Sequence, residues 1–200
     1  MKSGWADLMA AEGRTPIGHT MAGHGDAPLL APPEDTGTGR LHQQIEAHGG
    51  TADVVGFSAG AVLSLTAAVE RPDLFNKLVL MGTGDRSYLA TLEEKRASLA
   101  TSLDNPLFRG IRLASERAGN NFESVMKCSY DTQPVPSFES MAAVTCPVLL
   151  ILGEDDFVGP VDLLMAALPD PRLVTLRRTD HFATTQRFEG QEAVLKFLLA

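Results

Sequence analysis

Cysteine is scarce in this chain: of its 200 residues only Cys128 and Cys146 are cysteines, and no C-x-x-C pair occurs. Proteins of oxidising compartments rely on disulfides, and structural zinc sites rely on paired cysteines. We therefore predict a reducing, cytoplasmic compartment and no metal site. The sequence contains no motif that indicates a cofactor.

Long apolar runs and an excess of positive charge are also lacking. No stretch approaches the length that spans a bilayer, and the first residues contain no continuous apolar region, so we predict neither a membrane span nor a secretory signal. A net charge of −8 disfavours nucleic acid and anionic membranes as partners. With 44% hydrophobic and 21% charged residues, the composition is that of one globular domain with a sizeable core.

The most informative stretch is Ala52–Thr66, which reads A-D-V-V-G-F-S-A-G-A-V-L-S-L-T. Two strand-forming valines precede a Gly-rich turn, and an apolar, helix-forming run follows it. Small residues at Gly56 and Gly60 are expected to let the strand and the helix approach closely. The pattern G-x-S-x-G in this context predicts a nucleophile elbow with Ser58 at its apex, and a structural serine in a turn is the alternative.

Strands and helices alternate along the rest of the chain. This alternation predicts a parallel sheet with helices on both faces and with ligands at the carboxyl ends of the strands. One early strand is weak because Pro16 and Gly18 interrupt it. The predicted strands are Thr15–Thr20, the run before the elbow, Lys77–Met81, Pro147–Gly153 and Leu173–Leu176. The predicted helices are Trp5–Ala11, Leu41–His48, the elbow helix to about Arg71, Pro160–Leu168 and Phe188–Leu199.

A serine hydroxyl is a weak nucleophile without a base, and five histidines are candidates for that base. His42 and His48 belong to a polar helix, and we interpret them as solvated surface residues. His19 carries no signal of its own, and His24 lies in a G-H-G turn where a structural role is favoured. His181 follows the last predicted strand, where a parallel sheet places its chemistry, and we predict it as the base.

The carboxylate that would orient this base is expected in the run G-E-D-D-F-V-G-P, directly after the strongest strand. Asp155 and Asp156 compete for the role, with Glu154 a distant third, and a solvated acidic loop is the alternative for all three. The order serine, aspartate, histidine along the chain is the order of elbow-type hydrolases. Three partial signals in that order are much more specific than any one of them.

Together these motifs resemble the α/β-hydrolase superfamily over nearly the whole chain. G-F-S-A-G is similar to its nucleophile elbow, A-G-H-G-D-A-P to its G-H-G turn, C-P-V-L-L-I-L-G-E-D-D-F-V-G-P to its acid strand and turn, and T-D-H-F-A-T to its histidine loop. The family pattern at the acid is G-x-x-D with a proline a few residues further on. Gly153, Asp156 and Pro160 fit this pattern, which favours Asp156 over Asp155.

The resemblance implies a single domain, residues 1–200, with a mostly parallel, doubly wound sheet of the α/β-hydrolase type. It also implies a small helical lid inserted at residues 85–140. The residues that match the catalytic positions are Ser58, Asp156 and His181, with the backbone N–H of Ala59 as an oxyanion donor.

One part of the family pattern has no counterpart in this sequence. Family members have early strands and a turn that supplies the second oxyanion N–H, and here Met1–Trp5 matches the segment just after that turn. Thr20 replaces the acidic residue often found before the G-H-G turn. We therefore expect an N-terminally shortened sheet, an incomplete oxyanion hole, and an open edge that pairs with another chain or a second copy. A fragment of a longer enzyme is the favoured explanation; a degenerate homologue and a partner-completed protein are the others.

The resemblance implies a serine hydrolase that cleaves a small ester, lactone or related acyl substrate. A cofactor-free perhydrolase-type enzyme or a carbon–carbon bond hydrolase would use the same three residues, and the sequence does not separate these activities, since lid residues set the substrate. Aspartate-nucleophile relatives such as dehalogenases are disfavoured by Ser58. The alternative from another class is a non-catalytic remnant that only binds a ligand or partner.

Overall fold

The computed structural model of the chain describes residues 4–31, 35–91, 93–94, 106–130 and 135–200. Within these residues, four parallel strands form one sheet in the order β1-β2-β3-β4. The strands are β1 Ala52–Phe57, β2 Phe75–Met81, β3 Val148–Gly153 and β4 Pro171–Leu176. The described helices are α1 Trp5–Ala11, α2 Gly37–Ala47, α3 Ala59–Glu70, α4 Arg86–Leu89, α5 Pro106–Arg117, α6 Phe122–Tyr130, α7 Asp162–Ala167 and α8 Phe188–Leu199.

The two central strands, β2 and β3, are covered on both faces. Successive side chains of a strand point to opposite faces of the sheet. Leu78 and Leu80 therefore belong to one core cluster, with residues of α2, α3 and α7, whereas Val79 and Met81 belong to a second cluster, with residues of α1 and α8. Each fully buried aliphatic side chain contributes about 1.5–3 kcal/mol relative to an exposed one, so these strands anchor the domain. The predicted parallel sheet with helices on both faces is confirmed.

The strand β1 lies at one edge of the sheet. It pairs with β2, and no strand among the described residues lies on its other side. Val55 on this strand is 41% exposed, and an ion pair of 2.7 Å joins the Arg14 guanidinium to the Asp53 carboxylate. The open sheet edge is therefore a feature of the described structure, and its pairing with a second copy stays a prediction.

The predicted early strand Thr15–Thr20 is wrong, because these residues have no regular secondary structure. Most of the segment is exposed, Pro16 lacks a backbone N–H, and no strand among the described residues pairs with it. The Gly18 carbonyl is instead satisfied by the amide side chain of Gln44, at 3.1 Å.

Helix α2 begins four residues earlier than the sequence pattern predicted. Thr36 precedes it in an extended conformation, and its hydroxyl accepts the N–H of Gly39 at 3.0 Å. A threonine in this position satisfies one of the donors that a helix start leaves unpaired, so the helix extends back to its cap.

The predicted lid, residues 85–140, contains the described helices α4, α5 and α6. Residues 92, 95–105 and 131–134 of the segment lie outside the described residues. The function of this segment as a lid stays a prediction. None of the helices in the described ranges combines the length and the apolar character that crossing a membrane requires.

Candidate active site

Ser58 is the single residue between the end of β1 and the start of α3. Its φ of 53° and ψ of −118° lie in a region that residues with a side chain rarely adopt. Its backbone N–H donates to the Met81 carbonyl at the end of β2, at 2.9 Å. Strain of this kind persists only where the surrounding structure enforces it, and it is concentrated at functional sites.

The tight turn depends on Gly56 rather than on both glycines of the elbow. A Cβ atom at Gly56 would lie 2.5 Å from the carbonyl oxygen of Gly60, so only glycine allows β1 and α3 to approach this closely. A Cβ atom at Gly60 would meet nothing within 4 Å. The predicted role of Gly56 is confirmed, and the corresponding role of Gly60 is wrong.

The hydroxyl of Ser58 points to a histidine rather than to its own helix. Ser58 occupies the N-cap position of α3, where a serine side chain commonly accepts a backbone N–H, yet it makes no such bond. Its Oγ instead lies 2.9 Å from Nε2 of His181. The elbow therefore presents the serine hydroxyl to the imidazole of His181.

His181 joins Ser58 to Asp156 in one hydrogen-bonded chain, which we call the Ser–His–Asp chain. Nδ1 of His181 lies 3.0 Å from both carboxylate oxygens of Asp156. An ionised carboxylate only accepts hydrogen bonds, so Nδ1 carries the proton and Nε2 of the neutral ring accepts the Ser58 hydroxyl. His181 is only 3% exposed and the Asp156 side chain is fully buried, which strengthens their interaction.

The three acidic residues considered for this role make different contacts, and the sequence pattern had favoured Asp156. Only Asp156 contacts the histidine. Asp155 is exposed, and its backbone N–H donates to the Thr179 carbonyl at 3.0 Å. The carboxylate of Glu154 accepts the backbone N–H of Arg178 at 2.9 Å. These last two contacts join the acid loop to the histidine loop and thereby hold the two loops in register.

Asp85 holds the other end of the acid loop, a contact that the sequence did not predict. This carboxylate is 2% exposed and accepts the backbone N–H groups of Leu163 and Leu164, at 3.1 and 3.0 Å, in the first turn of α7. Its own N–H donates to the Pro160 carbonyl at 2.8 Å. Asp85 therefore caps α7 from another part of the chain and fixes the segment that follows Asp156.

Three phenylalanine rings surround His181. The ring centroids of Phe57, Phe157 and Phe182 lie 5.0, 4.5 and 5.4 Å from that of the histidine. Each phenylalanine is the sequence neighbour of one member of the Ser–His–Asp chain. The sequence contained this signal, but an aromatic residue beside a polar one is too common to suggest that the three rings meet.

The other four histidines have hydrogen-bond partners outside the Ser–His–Asp chain. The prediction that His42 is a solvated surface residue is wrong, since it is buried and its Nε2 lies 2.9 Å from the Ala67 carbonyl. His48 is exposed, as predicted. His24 contacts its neighbouring turn through the Ala22 carbonyl, and Nδ1 of His19 lies 2.6 Å from the Gln44 side chain.

The backbone N–H of Ala59 is the first of helix α3. The first N–H groups of a helix have no partner within the helix, and the helix dipole makes them suitable for a developing negative charge. Among the described residues, no group of three or more His, Cys, Asp or Glu side chains is arranged to hold a metal ion.

Both the fold and the elbow geometry agree with the sequence profile of the alpha/beta hydrolase family, which matches residues 2–190. The chain therefore belongs to the alpha/beta hydrolase family. The resemblance inferred from the motifs is confirmed at this level.

A 2-hydroxy-6-oxononadienedioate/2-hydroxy-6-oxononatrienedioate hydrolase from a Pseudomonas species is 25% identical to this chain over 177 residues. The match covers 74% of this chain and 62% of that protein, so the chain spans less than two thirds of the relative's length. Among solved structures, an esterase from Exiguobacterium antarcticum has a TM-score of 0.76 at 16% identity, over 98% of this chain and 85% of that one. A bromoperoxidase from Bacillus anthracis has a TM-score of 0.67 at 18% identity, over 90% and 80%. At these identities the structures show a common fold.

Proposed function

We propose that this protein is a serine hydrolase that cleaves a small ester, lactone or related acyl substrate through an acyl-enzyme on Ser58. The observation that carries the proposal is the Ser–His–Asp chain, in which Nε2 of His181 lies 2.9 Å from Ser58 Oγ. This distance is within the range required for proton transfer from a nucleophile to its base.

In the first half of the reaction, Ser58 Oγ attacks the substrate carbonyl while its proton passes to Nε2 of His181. The carboxylate of Asp156 holds Nδ1 and stabilises the imidazolium that forms. The backbone N–H of Ala59 donates a hydrogen bond to the developing oxyanion. His181 then gives the proton to the leaving alcohol, the ester C–O bond breaks, and the acyl group remains on Ser58.

In the second half, a water molecule replaces the alcohol. His181 takes a proton from this water as it attacks the acyl carbon, and returns the proton to Ser58 Oγ as the acid product leaves. The cycle thus uses one histidine as base and acid in turn, and the neutral tautomer described above is its starting state.

Two other activities would use the same residues. A carbon–carbon bond hydrolase is supported by the similarity to the Pseudomonas hydrolase, and a cofactor-free perhydrolase-type activity by the bromoperoxidase fold. We favour acyl-ester hydrolysis because perhydrolysis also needs hydrogen peroxide and carbon–carbon cleavage must stabilise a carbon leaving group, whereas the alkoxide of an ester needs only the proton that His181 carries. A binding protein without catalysis is the remaining alternative.

Labelling with a fluorophosphonate probe tests the proposal, because the probe reacts with a serine only when a base activates it. We expect rapid labelling of the wild-type protein and none of Ser58→Ala. Ser64→Ala is the matched control: this buried serine lies on the same helix, and its hydroxyl donates to the Gly60 carbonyl at 2.7 Å. A folded wild-type protein without a label on Ser58 would refute the hydrolase and favour the binding role.

A further inference from the structure

Two of the three phenylalanines around His181 are open to solvent. Phe157 is 39% exposed and Phe182 is 45% exposed, although the imidazole between them is only 3% exposed. Phe57 differs, because it is partly buried and packs against the core cluster on the α1 and α8 side of the sheet. Each of the two exposed rings thus places apolar surface next to a buried polar group.

Hydrogen bonds hold the backbone beneath both exposed rings. The guanidinium of Arg86 donates to the Phe157 carbonyl at 2.9 Å. On the other loop, the Asp180 carboxylate accepts the N–H of Ala183 at 2.8 Å, which fixes the turn that carries Phe182. Rings on constrained loops lose little freedom when a ligand covers them, so this surface is preorganised for binding.

The position of this surface relative to Nε2 of His181 determines which part of a substrate reaches it. The leaving oxygen must come within about 2.6–3.2 Å of Nε2 to receive its proton. Its substituent then lies one or two bonds further out, within reach of two rings whose centroids are 4.5 and 5.4 Å from that of the imidazole. The acyl group is instead attached to the carbon that Ser58 attacks.

We propose that Phe157 and Phe182 form a binding surface for the leaving alcohol, and that the preferred substrates are esters of benzyl-type alcohols. This inference rests on the proposed hydrolysis at Ser58. An aromatic alcohol covers both rings and gains ring–ring contacts, whereas a short aliphatic alcohol leaves them in water. When the bond between the acyl carbon and the benzyloxy oxygen breaks, the acyl group stays on Ser58, His181 protonates the oxygen, and benzyl alcohol departs across this surface.

Hydrolysis of matched esters tests the proposal. Benzyl acetate and methyl acetate have the same acyl group and alcohols of similar acidity, so the ratio of their kcat/KM values reports contacts rather than leaving-group chemistry. We expect wild type to prefer the benzyl ester, and Phe157→Ala or Phe182→Ala to lower the preference by about threefold to tenfold each. Leucine at either position should restore part of it.

Phe188→Ala is the matched control, because Phe188 is 73% exposed and begins α8, seven residues after the histidine in the chain. It should leave the benzyl-to-methyl ratio unchanged. The ratio of the kcat/KM values of methyl phenylacetate and methyl acetate tests the acyl side. The Phe157→Ala and Phe182→Ala variants should leave this ratio unchanged. A benzyl-to-methyl ratio that both alanine variants leave intact overturns the proposal.

A binding measurement separates this inference from the proposed reaction. Benzyl alcohol is titrated by NMR into Ser58→Ala protein, which does not turn over, with and without Phe157→Ala. Weaker binding in the double variant supports the surface, and equal binding overturns it, whatever the outcome of the ester assays. Failure of wild type to hydrolyse any ester contradicts the proposed reaction alone.

Discussion

Gly56 and Gly60 lie four residues apart in the elbow, yet alanine at the two positions should have opposite effects on stability. At Gly56 the new Cβ would lie 2.5 Å from the Gly60 carbonyl oxygen, 2.7 Å from its carbon and 2.8 Å from the Cα of Ala61. All three are backbone atoms, so no side chain can rotate away and β1 and α3 must separate. At Gly60 the Cβ would enter open space.

The magnitudes follow from these contacts. Overpacking costs about 1–3 kcal/mol, and a backbone collision belongs at the upper end, so we expect Gly56→Ala to lower the free energy of unfolding by about 3 kcal/mol. Gly60→Ala removes a helical glycine and should raise it by about 0.5–1 kcal/mol. With a urea m-value of about 2–3 kcal/mol/M, the midpoints move by roughly −1 to −1.5 M and +0.2 to +0.5 M.

Urea unfolding followed by circular dichroism measures both shifts, and an unchanged m-value shows that only stability has altered. Fluorophosphonate labelling of Ser58 provides a second readout, because separating β1 from α3 displaces the serine hydroxyl from its base. We expect slower labelling of folded Gly56→Ala. A Gly56→Ala midpoint at or above that of wild type would refute the close-packing argument, as would a strongly destabilised Gly60→Ala.

Three further predictions concern side chains around the site. Asp156→Asn places an amide donor against Nδ1 of the imidazole and favours the wrong tautomer, a change that lowers kcat about 10⁴-fold in Ser–His–Asp enzymes. Asp155→Asn should lower ester turnover far less. Equal losses of turnover in the two variants would contradict the assignment of Asp156. Asp85→Ala leaves two N–H groups of α7 without acceptors, so it should lower the free energy of unfolding, measured in urea, by about 1–3 kcal/mol. Asp85→Asn should have an intermediate effect. A urea midpoint of Asp85→Ala equal to that of wild type would contradict this prediction. Burial raises the pKa of the Cys146 thiol, so little thiolate is present at neutral pH. The thiol should therefore react with thiol reagents only when the protein unfolds. Labelling of Cys146 in the native protein, mapped by mass spectrometry, would contradict this prediction.

The regular elements were predictable because their signals are local. The apolar run of β3 is buried along its whole length, and α8 has the predicted bounds, Phe188–Leu199. A short continuous apolar run indicates a strand buried on both faces, and a period near 3.6 indicates an amphipathic helix, so both can be recognised within a few residues. The elbow was predictable for the same reason, since strand, turn and helix are contiguous in the chain.

The wrong predictions concern residues whose state depends on distant neighbours. The composition of Thr15–Thr20 is partly that of a β-strand, but a strand forms only where another strand pairs with it. His42 lies on a helix that looks polar in sequence, and the Ala67 carbonyl of α3 gives its ring a buried partner. The local sequence pattern indicates neither the absence of a pairing strand nor the position of the Ala67 carbonyl.

By itself, the sequence determined the α/β alternation, the elbow at Ser58, and the order serine, aspartate, histidine along the chain. Only the tertiary structure decided that both carboxylate oxygens of Asp156 contact His181, that Gly56 alone closes the turn, and that two exposed rings contact the imidazole. The physical reason is distance along the chain. His181 and Ser58 are 123 residues apart in sequence, and strand register brings Nε2 of His181 to 2.9 Å from Oγ of Ser58. Local periodicity specifies elements, whereas side-chain contacts across the sheet require the packed arrangement of all of them.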